Sequence, residues 1–233
     1  LHSFPTRRSS DLIMTELEAI RARHAVRNYT TKPLPPAIID GLKEEIGQCN
    51  RLGQLHIQLV TDNEGAFKSF IPLFGRFKNV KNYIALVAKM QGDFYVKSGY
   101  FGARLMIKAQ QAGLNSCWVT STYNAKKCQV TLAPDEELVG VIAIGYGMTD
   151  GRQHKSKSME RLCKPCSDKW FINGMKASVL APTGLNKQNF FIEANGNTVS
   201  IHTKDNRPMS QIDTGIVKYH FEIGAGKENF NWG

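Results

Sequence analysis

The sequence predicts an α+β fold, a sheet covered by helices, and three observations lead there. Long stretches carry apolar residues at helical spacing, above all 94–112, and such stripes require a buried face. Between them lie short runs that are apolar throughout or alternate with period two, the lengths and patterns of strands. With 42% hydrophobic and 21% charged residues over 233 positions, the composition is ordinary globular chemistry, suited to one domain or two small lobes sharing a core.

Along the chain, Thr15 opens a short helix with Leu17 and Ile20 as its apolar stripe. It ends in Arg23-His24-Ala25-Val26-Arg27-Asn28-Tyr29, and the threonines and prolines of 30–36 stop it. Arg23, His24 and Arg27, at a helix end joined to a turn, can converge on one point, and a phosphate suits such a point. The same spacing also fits solvated surface charges, and the residues alone leave both readings open. Residues 35–48 predict a second helix with Ile38, Ile39, Leu42 and Ile46 on one face and proline in its first turn. Leu55 to Val60 alternates as a half-buried strand, with His56 and Gln58 on its other face.

Tyr83 to Ala88 is nearly continuous in apolar residues and predicts a central strand. The longest helix covers Phe94 to Ala112. Gly99 and Gly102 inside it cost about 1 kcal/mol each relative to alanine, so something must pack close there, either another helix or a flat ligand. Gly113 closes this helix, and strands follow at Ser116–Thr120 and Leu138–Tyr146. Arg152, His154, Lys155, Lys157, Arg161 and Lys164 then crowd together, a run that by itself reads as a solvated face. Cys163-Lys164-Pro165-Cys166 is a lone CxxC. Zinc would need about two further ligands and a redox pair a βαβ context, so no metal site is expected. The last third predicts a helix at 169–180, a hairpin (Phe190–Glu193 and Thr198–His202, turned at Asn195-Gly196-Asn197) and a closing helix over 213–222.

Bulk properties exclude some classes. No run approaches the roughly 20 apolar residues of a membrane span. Five cysteines, an odd number without a secretion signal, favour the reducing cytoplasm. Residues 1–13 are expected to be a non-native, unstructured extension, because Ser3 to Leu12 resembles a translated sequencing adapter and lacks the apolar core of a targeting peptide. The net charge of +10 becomes +9 without Arg7, Arg8 and Asp11, two positives and one negative. Such a balance raises nucleic acid as a partner. The basic residues are spread along the chain without a nucleic-acid motif, so none is expected.

Four segments in order resemble the nitroreductase family of FMN flavoproteins, over about residues 15–232. Arg23 to Tyr29 is similar to the family's opening Arg-(Arg/His)-Ser-x-(Arg/Lys)-x-(Phe/Tyr). Ala25 stands where the family has a serine on the FMN phosphate, so that contact would come from backbone. Gly99-Tyr100-Phe101-Gly102, Gly113-Leu114 and Cys117 to Thr120 resemble the family's middle, which passes beside the isoalloxazine ring. The resemblance implies ring-side positions at Trp118, Thr120 and Ser121, although Trp118 alone also reads as a core tryptophan. A basic pair after the last core strand contacts the phosphate in the family, and Lys155 and Lys157 stand at a comparable distance. Ala181-Pro182-Thr183-Gly184-Leu185-Asn186-Lys187-Gln188 is similar to Ala-Pro-Ser-x-x-Asn-x-Gln-Pro-Trp, with Asn189 in place of the proline. It implies that Ala181, Pro182, Thr183, Asn186 and Gln188 lie at the flavin's pyrimidine edge.

In ordinary homodimeric members this last motif follows the second helix; here it comes about 130 residues later (Ala181 against Asn50). That order resembles the pseudo-dimeric, single-chain branch. It implies a mostly antiparallel sheet flanked by helices, a first half at 14–165, and a degenerate second half at 166–233 that completes the flavin site. The implied protein is a monomer or weak homodimer. The implied activity is an FMN-dependent NAD(P)H oxidoreductase, hydride passing from NADH or NADPH via flavin N5 to a nitroaromatic, quinone or similar small-molecule acceptor. The flavin carries the chemistry, so no catalytic side chain is demanded. The alternatives are a non-catalytic flavin-binding module and a basic nucleic-acid-binding protein.

Overall fold

The computed structural model describes residues 14–68 and 77–233, so the expected extension at 1–13 lies outside the described residues. Helix α1 (Glu16–Ala22) begins in a capping box: Thr15 Oγ1 accepts from Glu18 N–H at 3.3 Å, and the Glu18 carboxylate accepts from Thr15 N–H at 2.8 Å. Such a cap contributes about 1 kcal/mol. Arg23 is already extended (φ −72°, ψ 122°), which turns the basic stretch off the helix axis. Helix α2 (Pro36–Gly53) runs five residues past the expected end and stops at Gln54, in the left-handed conformation (φ 54°).

The expected strand over 55–60 shrinks to β1 (Gln58–Val60). The cause is Asn50. Its side-chain amide donates to Ile57 O at 2.9 Å and accepts from Ile57 N–H at 2.7 Å, occupying both backbone groups that a ladder would use. Strand β2 (Asn82–Lys89), helix α3 (Phe94–Gln111), strand β3 (Asn115–Val119) and strand β4 (Glu136–Gly145) follow the predicted order. The sheet reads β1-β2-β4-β3, and all three pairings are antiparallel.

Both faces of this sheet are covered, which explains the unbroken apolar runs. Ile84, Leu86 and Ala88 of β2 enter one buried cluster, while Tyr83, Ala85 and Val87 enter the other. Strand β4 alternates likewise until a register shift opposite Leu86/Val87, after which Val139 joins Ile142 and Ile144 on one face. An extra residue in one strand flips the side-chain parity in this way.

Helix α4 (Lys169–Ser178) leads to a second sheet: the hairpin β5 (Phe190–Asn195) and β6 (Thr198–Thr203), with β7 (Asn231–Trp232) parallel to β6. Helix α5 (Pro208–Ala225) is longer than the predicted closing helix because Pro208 supplies its first turn. It crosses α3 backbone to backbone. A methyl at Gly99 would collide with the Ile212 carbonyl, and one at Gly215 with Val96 O and Tyr100 N. Of the two explanations for the glycines of α3, Gly99 takes the neighbouring helix. Gly102 takes a flat group from this chain, the Trp118 ring. This crossing delivers one face of α5 to the end of β3, where the site lies.

Candidate active site

A cavity of about 750 Å³ opens where residues 23–27, the end of β3, the irregular 151–154 segment, the 182–186 turn and α5 meet. That volume is in the range that encloses a cofactor-sized ligand.

Its basic end is built by the turn off α1. Arg23 is buried, 4% exposed, and its Nε and Nη1 have no hydrogen-bond partner. Burial pushes its guanidinium down to about 10, so it stays charged at neutral pH. Removing a lone charge from water costs several kcal/mol unless an opposite charge meets it. No carboxylate among the described residues meets this one; an anion in the cavity would. His24 and Arg27 share the wall, and the His24 imidazole is held below its usual range by burial first, then by Arg23 and His154. Behind them His220 of α5 donates from Nδ1 to Ile216 O at 2.8 Å, leaving Nε2 buried without a partner. Burial pulls His220 down to about 3, and Arg23 adds to the fall, so this imidazole is neutral. Ala25 is exposed on the same wall and pairs with Ser116, joining the basic turn to β3.

The middle of the wall comes from β3. Alternation puts Cys117 into the second cluster, where it still touches the cavity wall, and Trp118 onto Gly102, with Trp118 Nε1 buried and unpartnered. Thr120 and Ser121 continue the wall where the strand ends.

The far end is the 181–188 turn, which holds unusual backbone. Leu185 (φ 52°), Asn186 (φ 53°) and Gln188 (φ 45°) are all left-handed, although none is glycine. Such residues cost of order 1–3 kcal/mol each and persist only where their surroundings over-determine them. Here the surroundings do. Gln188 N–H donates to Thr183 Oγ1 at 3.0 Å, and Gln188 Nε2 donates to Val179 O at 3.0 Å. Asn186 Nδ2 donates to Lys155 O at 2.8 Å, leaving Asn186 Oδ1 buried without a partner. Pro182, Thr183 and Asn186 lie on the cavity wall.

Four predicted site residues are off that wall. Gln188 is 1% exposed and accepts from Lys157 N–H at 2.6 Å through Oε1, so it supports the turn from behind. Ala181 is fully buried in the main core. Lys157 Nζ donates to the Lys187 and Gln188 carbonyls, and the exposed Lys155 meets the turn only through its own backbone oxygen. The basic residues that do reach the cavity from this run are Arg152 and His154. This segment is neither helix nor strand, and its contacts decide the side: Lys157 is turned to the Lys187 and Gln188 carbonyls, while Arg152 and His154 reach the cavity.

Sequence reasoning also missed the α5 face of Met209, Ile212, Asp213 and Ile216. Its signal is a carboxylate one helical turn from Met209 and close to Ile212 and Ile216, a charge inside an apolar stripe. Asp213 is 8% exposed and accepts from Gly184 N–H at 2.8 Å. Burial pushes its carboxyl up to about 7, against the opposing pull of that hydrogen bond. Cys163 and Cys166 lie off the cavity wall, and no cluster of three or more potential metal ligands occurs among the described residues. None of their helices is long and apolar enough to cross a membrane.

The antiparallel sheet carries its α-helices on one face, and the cavity at its edge is basic at one end and bounded by a strained polar turn. The family model described as Putative TM nitroreductase matches residues 16–225, and the chain belongs to that family. Membership makes the protein an oxidoreductase of the nitroreductase type. A putative nitroreductase from Thermotoga maritima is similar at 19% identity, TM-score 0.64, with 95% of this chain and 88% of that one covered. A putative nitroreductase from Desulfovibrio desulfuricans, solved in complex with FMN, is similar at 15% identity and TM-score 0.54, covering 66% and 98%. At these identities the likeness speaks for the fold. No curated protein sequence matches the chain.

Proposed function

We propose that the protein is an FMN-dependent NAD(P)H oxidoreductase that reduces a nitroaromatic, quinone or similar small-molecule acceptor. The observation that carries this reading is Arg23, a buried guanidinium with two unpartnered nitrogens on the wall of a cofactor-sized cavity. A phosphate is the anion whose geometry and charge match it. Arg27 and the Ala25 backbone would add to that clamp, with Arg152 and His154 from the segment that packs against His24 and Ala25 at Gly151. Trp118 Nε1 and Asn186 Oδ1, an unpartnered donor and an unpartnered acceptor, suit a heterocycle that offers both. FMN, when bound, supplies the two-electron chemistry, so the chain's own work is to bind, orient and exclude water.

The degenerate second half is read as completing this site within one chain, because residues 182–186 and α5 supply the far wall. A monomer or weak homodimer suffices under that reading. The five free cysteines support a cytoplasmic setting.

The test is an anaerobic absorbance spectrum of the chain reconstituted with FMN, before and after NADH or NADPH. Flavin bands that bleach support the proposal. Bands that persist would leave a binding module without turnover, and a protein that stays colourless would overturn the flavin reading and return its basic charge to the centre.

A further inference from the structure

The cavity contains one acidic side chain on a wall otherwise supplied with cations. Asp213 lies among Met209, Ile212 and Ile216 of its own helix and Gly184 and Leu185 of the turn. One oxygen, Oδ1, is taken by Gly184 N–H; Oδ2 makes no hydrogen bond among the described residues. The charged and titratable groups on the wall are Arg23, His24, Arg27, Cys117, Arg152 and His154, and none bonds to it. On the α3 side of α5, Tyr100 and Lys227 are committed to Glu222, at 2.5 and 2.6 Å. No cation among the described residues pairs with this carboxyl.

We propose that Asp213 holds the ligand's planar ring as the neutral carboxylic acid, so that loading the cavity takes up a proton from solvent. This rests on the flavin reading above and deepens it. A flavin ring is rich in acceptors, with two carbonyls and two bare nitrogens, and has a single imide N–H donor. Asn186 Oδ1 is free to accept from that donor. A second carboxylate acceptor would add nothing, whereas a protonated Oδ2–H, with Oδ1 already satisfied, donates to the acceptor-rich edge. The ring would also displace water from around Oδ2, and desolvation disfavours the charged form. The free carboxyl, already pushed up to about 7 by burial, therefore gains a proton on binding at pH 7.5. The step is protonation alone, with no electron moved.

The experiment is calorimetric titration of the full chain with FMN, and separately with riboflavin, in buffers of different ionisation heat. At pH 7.5 both flavins should bind with uptake of up to about three-quarters of a proton, and at pH 5.5, where the acid is already protonated, with almost none. Wild-type affinity should weaken by up to about tenfold per pH unit above pH 7. Asp213→Asn should bind both flavins without proton uptake and without that pH slope. Uptake with FMN alone would assign the proton to the phosphate or the histidines and overturn the proposal, as would uptake unchanged in Asp213→Asn. Flavin binding with no linked proton overturns this inference only; no binding of either flavin overturns the cofactor reading with it. The wild-type comparison between the two pH values decides the matter even if the variant folds poorly.

Discussion

Two basic stretches flank the cavity, residues 23–27 and 152–157, and they hold their cations in opposite ways. Arg23 is buried with Nε and Nη1 unpartnered. Lys157 lies in the second stretch, and its ammonium is spent on the Lys187 and Gln188 carbonyls, pinning the strained turn. One cation is left without a partner among the described residues; the other is consumed by the fold. A count of positive charges cannot separate them, because the difference lies in what each side chain finds within hydrogen-bond reach.

The most severe test of this contrast is acid, which attacks the buried basic end. His220 titrates near 6.5 when unfolded and is pulled down to about 3 when folded. Its stabilising contribution is complete above pH 6.5 and is lost as pH falls toward 3, in the limit of order 5 kcal/mol. Urea unfolding of wild type and His220→Gln should show the variant losing ground at pH 7, and that gap closing or reversing by pH 4. A constant gap would mean that His220 is accommodated as a cation in the fold.

Next in size is Arg23→Ala. Losing a charge-assisted bond worth about 1.5–3 kcal/mol should raise the FMN Kd by roughly 10- to 150-fold, read by fluorescence quenching of the flavin. Relief of the unpaired buried charge should leave the empty protein no less stable. Lys157→Ala should do the reverse, losing about 1–2 kcal/mol of stability in a thermal melt while FMN affinity stays within about threefold. Equal effects on affinity from the two substitutions would erase the comparison. The smallest effect is expected at Lys155→Ala: the exposed side chain contributes within about 0.5 kcal/mol, and binding should be unchanged.

Much of the framework was legible because local rules and burial agree. The unbroken run Tyr83–Ala88 is apolar on both parities because both sheet faces are covered, and the Gly99 anomaly announced a close neighbour. The strand at 55–60 was overread, since nothing in its alternation reveals that the Asn50 side chain takes the backbone groups of Ile57. Within the site, the Arg23 stretch and the 181–188 turn could be found by motif. The basic pair could not be placed, because it lies in an irregular segment whose facing is set by tertiary contacts.

By itself the sequence determined the elements, their order, the doubly buried sheet and the two segments that bound the cavity. Periodicity, capping and apolar runs act between residues near in sequence, and that information is local. Only the tertiary structure decided which cations stay unpartnered, that Trp118 rather than a ligand fills the space over Gly102, and that Asp213 faces the cavity. These depend on the crossing of α3 and α5, where glycines more than 100 positions apart (Gly99 and Gly215) let two backbones touch. Desolvation and hydrogen-bond satisfaction are set by everything around a group, and chain order alone does not contain that surrounding.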